Sequence, residues 1–184
     1  MIKIDLKSVT LDQNELRLRL GGSTDEETLK LASSVEKTLK AKTECYFKFK
    51  ETTINVAENT VDLGFATIQS RNLATNLKNS QSAFVVAVTL GHKCDLILRQ
   101  SAIKSPLLQF VTDAVASTLI EAVCDYVQDT LPPTYPRFSA GYGDLPLEFQ
   151  KPLLEFLKTS KITLTDSYLM IPSKSVTFIA GRKQ

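Results

Sequence analysis

Few side chains in this 184-residue sequence could carry chemistry of their own. It has one histidine, His92, and three scattered cysteines, Cys45, Cys94 and Cys124. Any histidine-based catalytic centre must be built around His92. With Cys94 it forms a His-x-Cys pair. That pair either contributes to a metal site or reflects a partly buried histidine at a helix start, and the absence of a second ligand pair nearby favours the latter. No CxxC pair occurs, so neither a disulfide framework nor a zinc ribbon fits. No phosphate-binding GxxxxGK[ST] or dinucleotide-binding GxGxxG occurs either, and Gly141 and Gly143 follow a proline-rich loop rather than a strand. Charge is placed more suggestively. Asp113, Ser117, Glu121 and Asp125 recur every four residues, which puts them on one side of a helix. Four acids and no Lys or Arg lie between Lys104 and the lone Arg137.

The elements that must position these residues are readable by period. Residues 11–20 alternate well enough for a strand, but they stop at Gly21-Gly22, and a helix is the better reading. Ser23 or Thr24, with Glu26 and Glu27 behind it, looks like a capping box. It opens an amphipathic helix to Lys42, whose apolar positions are Leu29, Ala32, Val35 and Leu39. CYFKFK (45–50) and a stretch near Val61–Ile68 read as strands, and Ser70 caps a short helix. SAFVVAVTL (82–90) is uncharged and β-branched, as a fully buried central strand should be. Gly91 ends it, and a short helix follows. Ser105-Pro106 then opens the longest helix, to residue 130, with one face running from Leu107 to Val127. Pro132-Pro133 stops it. The segment 134–150 is a loop by composition. Residues 147–158 form a helix with a bend at Pro152. The C-terminus supplies two or three strands with a turn at PSKS.

Composition narrows the class. Lys plus Arg number 22 and Asp plus Glu 20, a net charge of +2. The first 60 residues carry ten of each sign, so no basic half exists and no nucleic-acid or anionic-membrane signature is present. Hydrophobic residues make up 43%, enough for a core, and seven Gly with seven Pro favour regular elements over loops. No apolar run of membrane-spanning length and no signal peptide are evident, and free cysteines suit a reducing compartment, so the expected location is the cytoplasm. Helices and strands mix without βαβ regularity, which predicts an α+β fold in one domain over 1–184.

Two linked segments, RFSAGYGDLPLEFQKPLLEFL and KITLTDSYLMIPSKSV, resemble the activation domain of cobalamin-dependent methionine synthase. The matching residues are Arg137, Gly141 and Tyr142, then Leu164, Thr165 and Ser167, then Met170, Pro172, Ser175 and Val176. Asp113, Ala116 and Glu121 fit the family's spacing upstream. Thr89-Leu90-Gly91 and the GYGDL form look like the short stand-alone version of that domain, separate from the catalytic subunit. The resemblance runs over 84–180 and is thin over the first 80 residues. It implies a twisted, mainly antiparallel sheet with flanking helices. It also implies a subunit, not catalytic alone, that binds S-adenosylmethionine. That subunit would support reductive methylation of the cobalamin of a partner methionine synthase, with a flavodoxin-like protein as electron donor. Cobalamin would belong to the partner, since the surroundings of His92 lack the cobalt-ligating Asp-x-His-x-x-Gly.

The resemblance assigns ligand contacts to Arg137, Glu121, Ser139, Gly141 and Tyr142. Arg137 suits the ligand's carboxylate through its planar fork, or else pairs with Asp144 or Glu148. Glu121 suits the ligand's cationic end, or belongs to a solvated helix stripe. Tyr142 stacks on the ligand or is a buried loop tyrosine. Ser139 and Gly141 offer close backbone approach. Lys174 and Ser175 read as solvent-facing turn residues. A ligand-contacting tyrosine of the longer enzyme has no counterpart in these residues, and the family's N-terminal aspartate has no clear match. Both departures imply a weaker site, or one completed by the partner. The alternative role is a ligand-free interaction module that docks on a cobalamin-binding domain.

Overall fold

The computed structural model describes residues 1–22 and 25–184. Ser23 and Thr24, expected as helix caps, lie outside the described residues.

The chain forms a four-stranded antiparallel sheet in the order β1 (Ile2–Ile4), β2 (Cys45–Thr53), β6 (Ser82–Thr89), β9 (Ser175–Gly181). Between these run helices α1 (Gln13–Arg19), α2 (Glu26–Lys42) and α3 (Arg71–Leu77), and the small strands β3 (Asn55–Val56), β4 (Thr60–Asp62) and β5 (Thr67–Gln69). Helices α4 (His92–Lys104), α5 (Pro106–Thr130) and α6 (Gln150–Leu157) and the strands β7 (Thr163–Leu164) and β8 (Met170–Ile171) complete the fold. Every strand pairing is antiparallel, and the α+β expectation holds.

The central strand β6 explains the layering. Its side chains alternate, as pleating requires. Phe84, Val86 and Val88 enter one core with α1, α2, α4 and α5, while Ala83, Val85 and Ala87 enter a second core with α3 and α6. Burial on both faces is why this segment reads as an unbroken apolar run rather than an alternating one.

Helix ends follow local chemistry. Gly22 N–H bonds the Arg17 carbonyl at 2.8 Å and Gly21 N–H the Leu18 carbonyl at 3.0 Å. Both glycines have positive φ, the geometry of a Schellman stop, and this decides residues 11–20 in favour of a helix. Asp25 is the N-cap of α2, accepting from Thr28 N–H at 2.8 Å. Ser105 caps α5 with Pro106 in its first turn.

Several expectations are corrected. Residues 61–68 form a hairpin turning at Gly64 (φ +76°), not one strand. Residues 147–149 form a 3-10 turn before α6, so the α-helix starts at Gln150 and Pro152 lies in its first turn, where its missing N–H costs nothing. His92 is exposed at the start of α4, whereas Cys94 is in the core with its thiol pushed up to about 12 by burial. Leu107 and Tyr126 are exposed rather than part of the buried face of α5. Contrary to the sequence reading, one helix among the described residues, α5, is long and apolar enough by length and composition to cross a bilayer. Here it is a core helix, packed on α1, α2, α4 and the sheet.

Asp144 supplies a long-range cap. Its carboxylate accepts from the Ser70 hydroxyl at 2.5 Å and from Arg71 N–H at 2.7 Å, tying the loop before α6 to the start of α3. The Ser70 hydrogen bond chiefly holds its carboxyl below the usual value, with the backbone N–H groups of Arg71 and Asn72 adding to it. A depressed folded pKa stabilises the fold above the ordinary carboxylate value and loses that effect as pH falls through the depressed one. Asp144→Ala is therefore expected to be less stable than the unaltered chain at about pH 7, with the gap closing towards about pH 2, as measured by denaturant unfolding.

Candidate functional site

The acidic stripe of α5 is not a solvated face. Two cations from distant segments lie along it. Lys174 Nζ donates to Asp113 Oδ1 and to the Ser117 hydroxyl, each at 2.8 Å. Arg137 donates through Nη2 to Glu121 Oε2 at 2.9 Å and through Nη1 to Asp125 Oδ1, with a longer contact to Gln128 Oε1 at 3.4 Å. Thus Arg137 pairs with neither Asp144 nor Glu148. Lys174 is largely covered and Ser175 is buried, so the solvent reading of both is corrected. Ser175 Oγ bonds the Thr89 hydroxyl at 2.8 Å and the Pro172 carbonyl at 2.6 Å.

The backbone that carries Arg137 is held as an extra edge beside β9. Tyr135 N–H bonds the Gly181 carbonyl, and Phe138 and Ile179 exchange both backbone bonds, each at 2.8 Å. Gln128 Nε2 of α5 fastens the same stretch through the Tyr135 carbonyl at 3.0 Å. The Phe178 ring, 5.9 Å from the guanidinium carbon, supports Arg137 from the core side. Burial works against the Arg137 charge, but the hydrogen bonds it donates to Asp125 and Glu121 outweigh that and raise its pKa. A guanidinium has five N–H groups. Two on Nη1 and one on Nη2 are engaged here, which leaves the second on Nη2 and that on Nε.

Beyond Phe138 the chain leaves β9, and a cleft of about 320 Å³ opens there, near the lower limit for small-molecule sites. Glu121, Arg137, Ser139 and Tyr142 line it, four of the five residues singled out by sequence. Gly141 does not. Its φ of +89° and its N–H bond to the Leu145 carbonyl at 2.8 Å make it a turn residue that shapes the loop. Tyr142 is 68% exposed, so it stands at the lip and is not a buried loop tyrosine.

Sequence reasoning missed three features of the site. Asp125 joins Arg137 and Glu121, giving two carboxylates to one guanidinium and a surplus negative charge beside the cleft. Gln150 and Thr177 also line the cleft, both buried, and Gln150 Oε1 and Thr177 Oγ1 have no hydrogen-bond partner among the described residues. A signal for Gln150 existed. It precedes Leu153, Leu154 and Leu157 at helical spacing, a polar residue on an apolar face. Met170, Ser175 and Val176, parts of the linked motifs, complete the wall. A larger, more open groove of about 590 Å³ runs between α6 and the 163–168 segment, but its charged side chains, Lys151, Glu155, Lys158 and Asp166, do not converge on a buried polar floor.

No family model and no curated protein matches the sequence. Among solved structures, the chain is similar to the crystal structure of the MetH reactivation domain bound to AdoHcy. The TM-score is 0.75 at 13% sequence identity, over 98% of this chain and 77% of that one. This chain therefore has the fold of the MetH reactivation domain.

Proposed function

We propose that this chain binds S-adenosylmethionine in the cleft beside β9 and supports reductive methylation of cobalamin held by a partner methionine synthase. The observation that carries this reading is the ionic wall formed by Glu121, Asp125 and Arg137 at the edge of a cleft with unpaired polar groups. S-adenosylmethionine carries a carboxylate, an ammonium and a sulfonium, a net single positive charge. The two free N–H groups of Arg137 suit its carboxylate, and the surplus negative charge suits its cationic part. The shared fold supports the same reading, since the similar domain binds AdoHcy, the demethylated form of that ligand.

In this role the chain positions and polarises, and contributes no proton or nucleophile. Cobalamin on the partner, once reduced by a donor such as a flavodoxin-like protein, would take the sulfonium methyl; Arg137, Glu121 and Asp125 would hold the ligand for that transfer and keep AdoHcy afterwards.

The test uses a cobalamin-loaded methionine synthase lacking its own activation domain, with S-adenosylmethionine and a reductant. Adding this chain should speed loss of the cobalt(II) absorbance. No change in rate would refute the reactivation role. A complex that forms equally well with and without S-adenosylmethionine would favour the ligand-free docking module instead.

A further inference from the structure

Four buried side-chain polar atoms lack a hydrogen-bond partner among the described residues, and two of them, Gln150 Oε1 and Thr177 Oγ1, line this one cleft. Gln150 is 7% exposed and Thr177 2%. A buried, unpaired polar group destabilises the fold, so two in one wall persist at a cost unless a ligand meets them.

The register of β9 adds main-chain groups to the same wall. In an antiparallel ladder, successive residues turn their N–H and C=O alternately to one neighbour and the other. Ile179 turns both towards Phe138 and exchanges two bonds with it. Thr177, two residues earlier in an unbroken register with β6, turns its N–H and C=O to that same outer side. There the adjoining chain has already left at Phe138, so among the described residues no strand pairs with Thr177 on the side away from β6. Its hydroxyl, N–H and C=O, with the Gln150 carboxamide, make a neutral pole of donors and acceptors. The ionic pole lines the same cleft through Glu121 and Arg137, with Asp125 bonded to Arg137 beside it.

We propose that Thr177 and Gln150 hold the adenosyl half of S-adenosylmethionine, while the ionic pole holds its amino-acid and sulfonium half. This rests on the ligand proposed above. An uncharged nucleoside presents mixed donors and acceptors and no net charge, which matches a neutral wall and gains nothing from a charged one.

The test compares two ligands on the full chain, S-adenosylmethionine and S-methylmethionine, a sulfonium amino acid with no adenosyl group. Thr177→Val and Gln150→Leu should each weaken S-adenosylmethionine about three- to tenfold and leave S-methylmethionine unchanged. Without ligand, both variants should be as stable as the unaltered chain or more so, because each removes an unpaired buried polar atom. Equal weakening of both ligands, no weakening of either, or a loss of stability would overturn the assignment. If the unaltered chain binds no S-adenosylmethionine, alone or with the partner subunit, the proposed function itself fails, and this inference with it.

Discussion

Replacing Arg137 with alanine should weaken S-adenosylmethionine binding at least tenfold, about 1.4 kcal/mol, in a calorimetric titration. The size follows from geometry. Arg137 is the cation of the cleft wall, and it keeps two N–H groups for a ligand carboxylate after satisfying Glu121, Asp125 and Gln128. Its removal would also leave two carboxylates close together with no counter-charge, so the cleft would repel the ligand's carboxylate as well as fail to hold it. Arg137→Lys restores the charge but not the planar fork, and should recover only part of the affinity. The fold should tolerate both changes, because Asp125 is well exposed and Glu121 partly so, and each carboxylate can turn to water when the guanidinium is gone. Unchanged affinity in Arg137→Ala would remove the ionic wall from the account.

The largest effect on stability is expected at Phe178. It is fully buried on β9 in the core beneath α5, and truncation of such a side chain to alanine costs about 3–5 kcal/mol through lost burial and the cavity left behind. The midpoint of denaturant unfolding should fall accordingly with little change in slope. Phe178 also lies under the guanidinium of Arg137. Phe178→Leu, which keeps most of the volume, should therefore fold well yet weaken ligand binding slightly, because Arg137 loses the ring that supports it. A loss below about 1 kcal/mol in Phe178→Ala would contradict the packing described here.

The parts of this fold legible in the sequence are those fixed by short-range chemistry. Ser105-Pro106 marked the start of α5, Gly21-Gly22 the end of α1, and the β-branched run at 82–90 the central strand, because caps, stops and burial on both faces leave local patterns. The site was legible in its residue types but not in its pairing. Glu121 and Arg137 were each assigned to a ligand, and the structure also joins them to each other across 16 residues of chain. Lys174 looked like a turn residue because nothing in PSKS reveals that Asp113, 61 residues away, will meet it. Thr177 gave no signal at all. Its unpaired edge arises only because the chain at Phe138 pairs with Ile179 and then departs, a consequence of tertiary register rather than of any local pattern.

The most direct test of the central claim is titration of this chain with S-adenosylmethionine and with AdoHcy, alone and with the cobalamin-loaded partner subunit. Two carboxylates against one guanidinium predict binding of both, with the cationic S-adenosylmethionine tighter than the neutral AdoHcy and the difference shrinking as salt is raised. No binding of either ligand in any arrangement, or a salt-independent preference for AdoHcy, would contradict it.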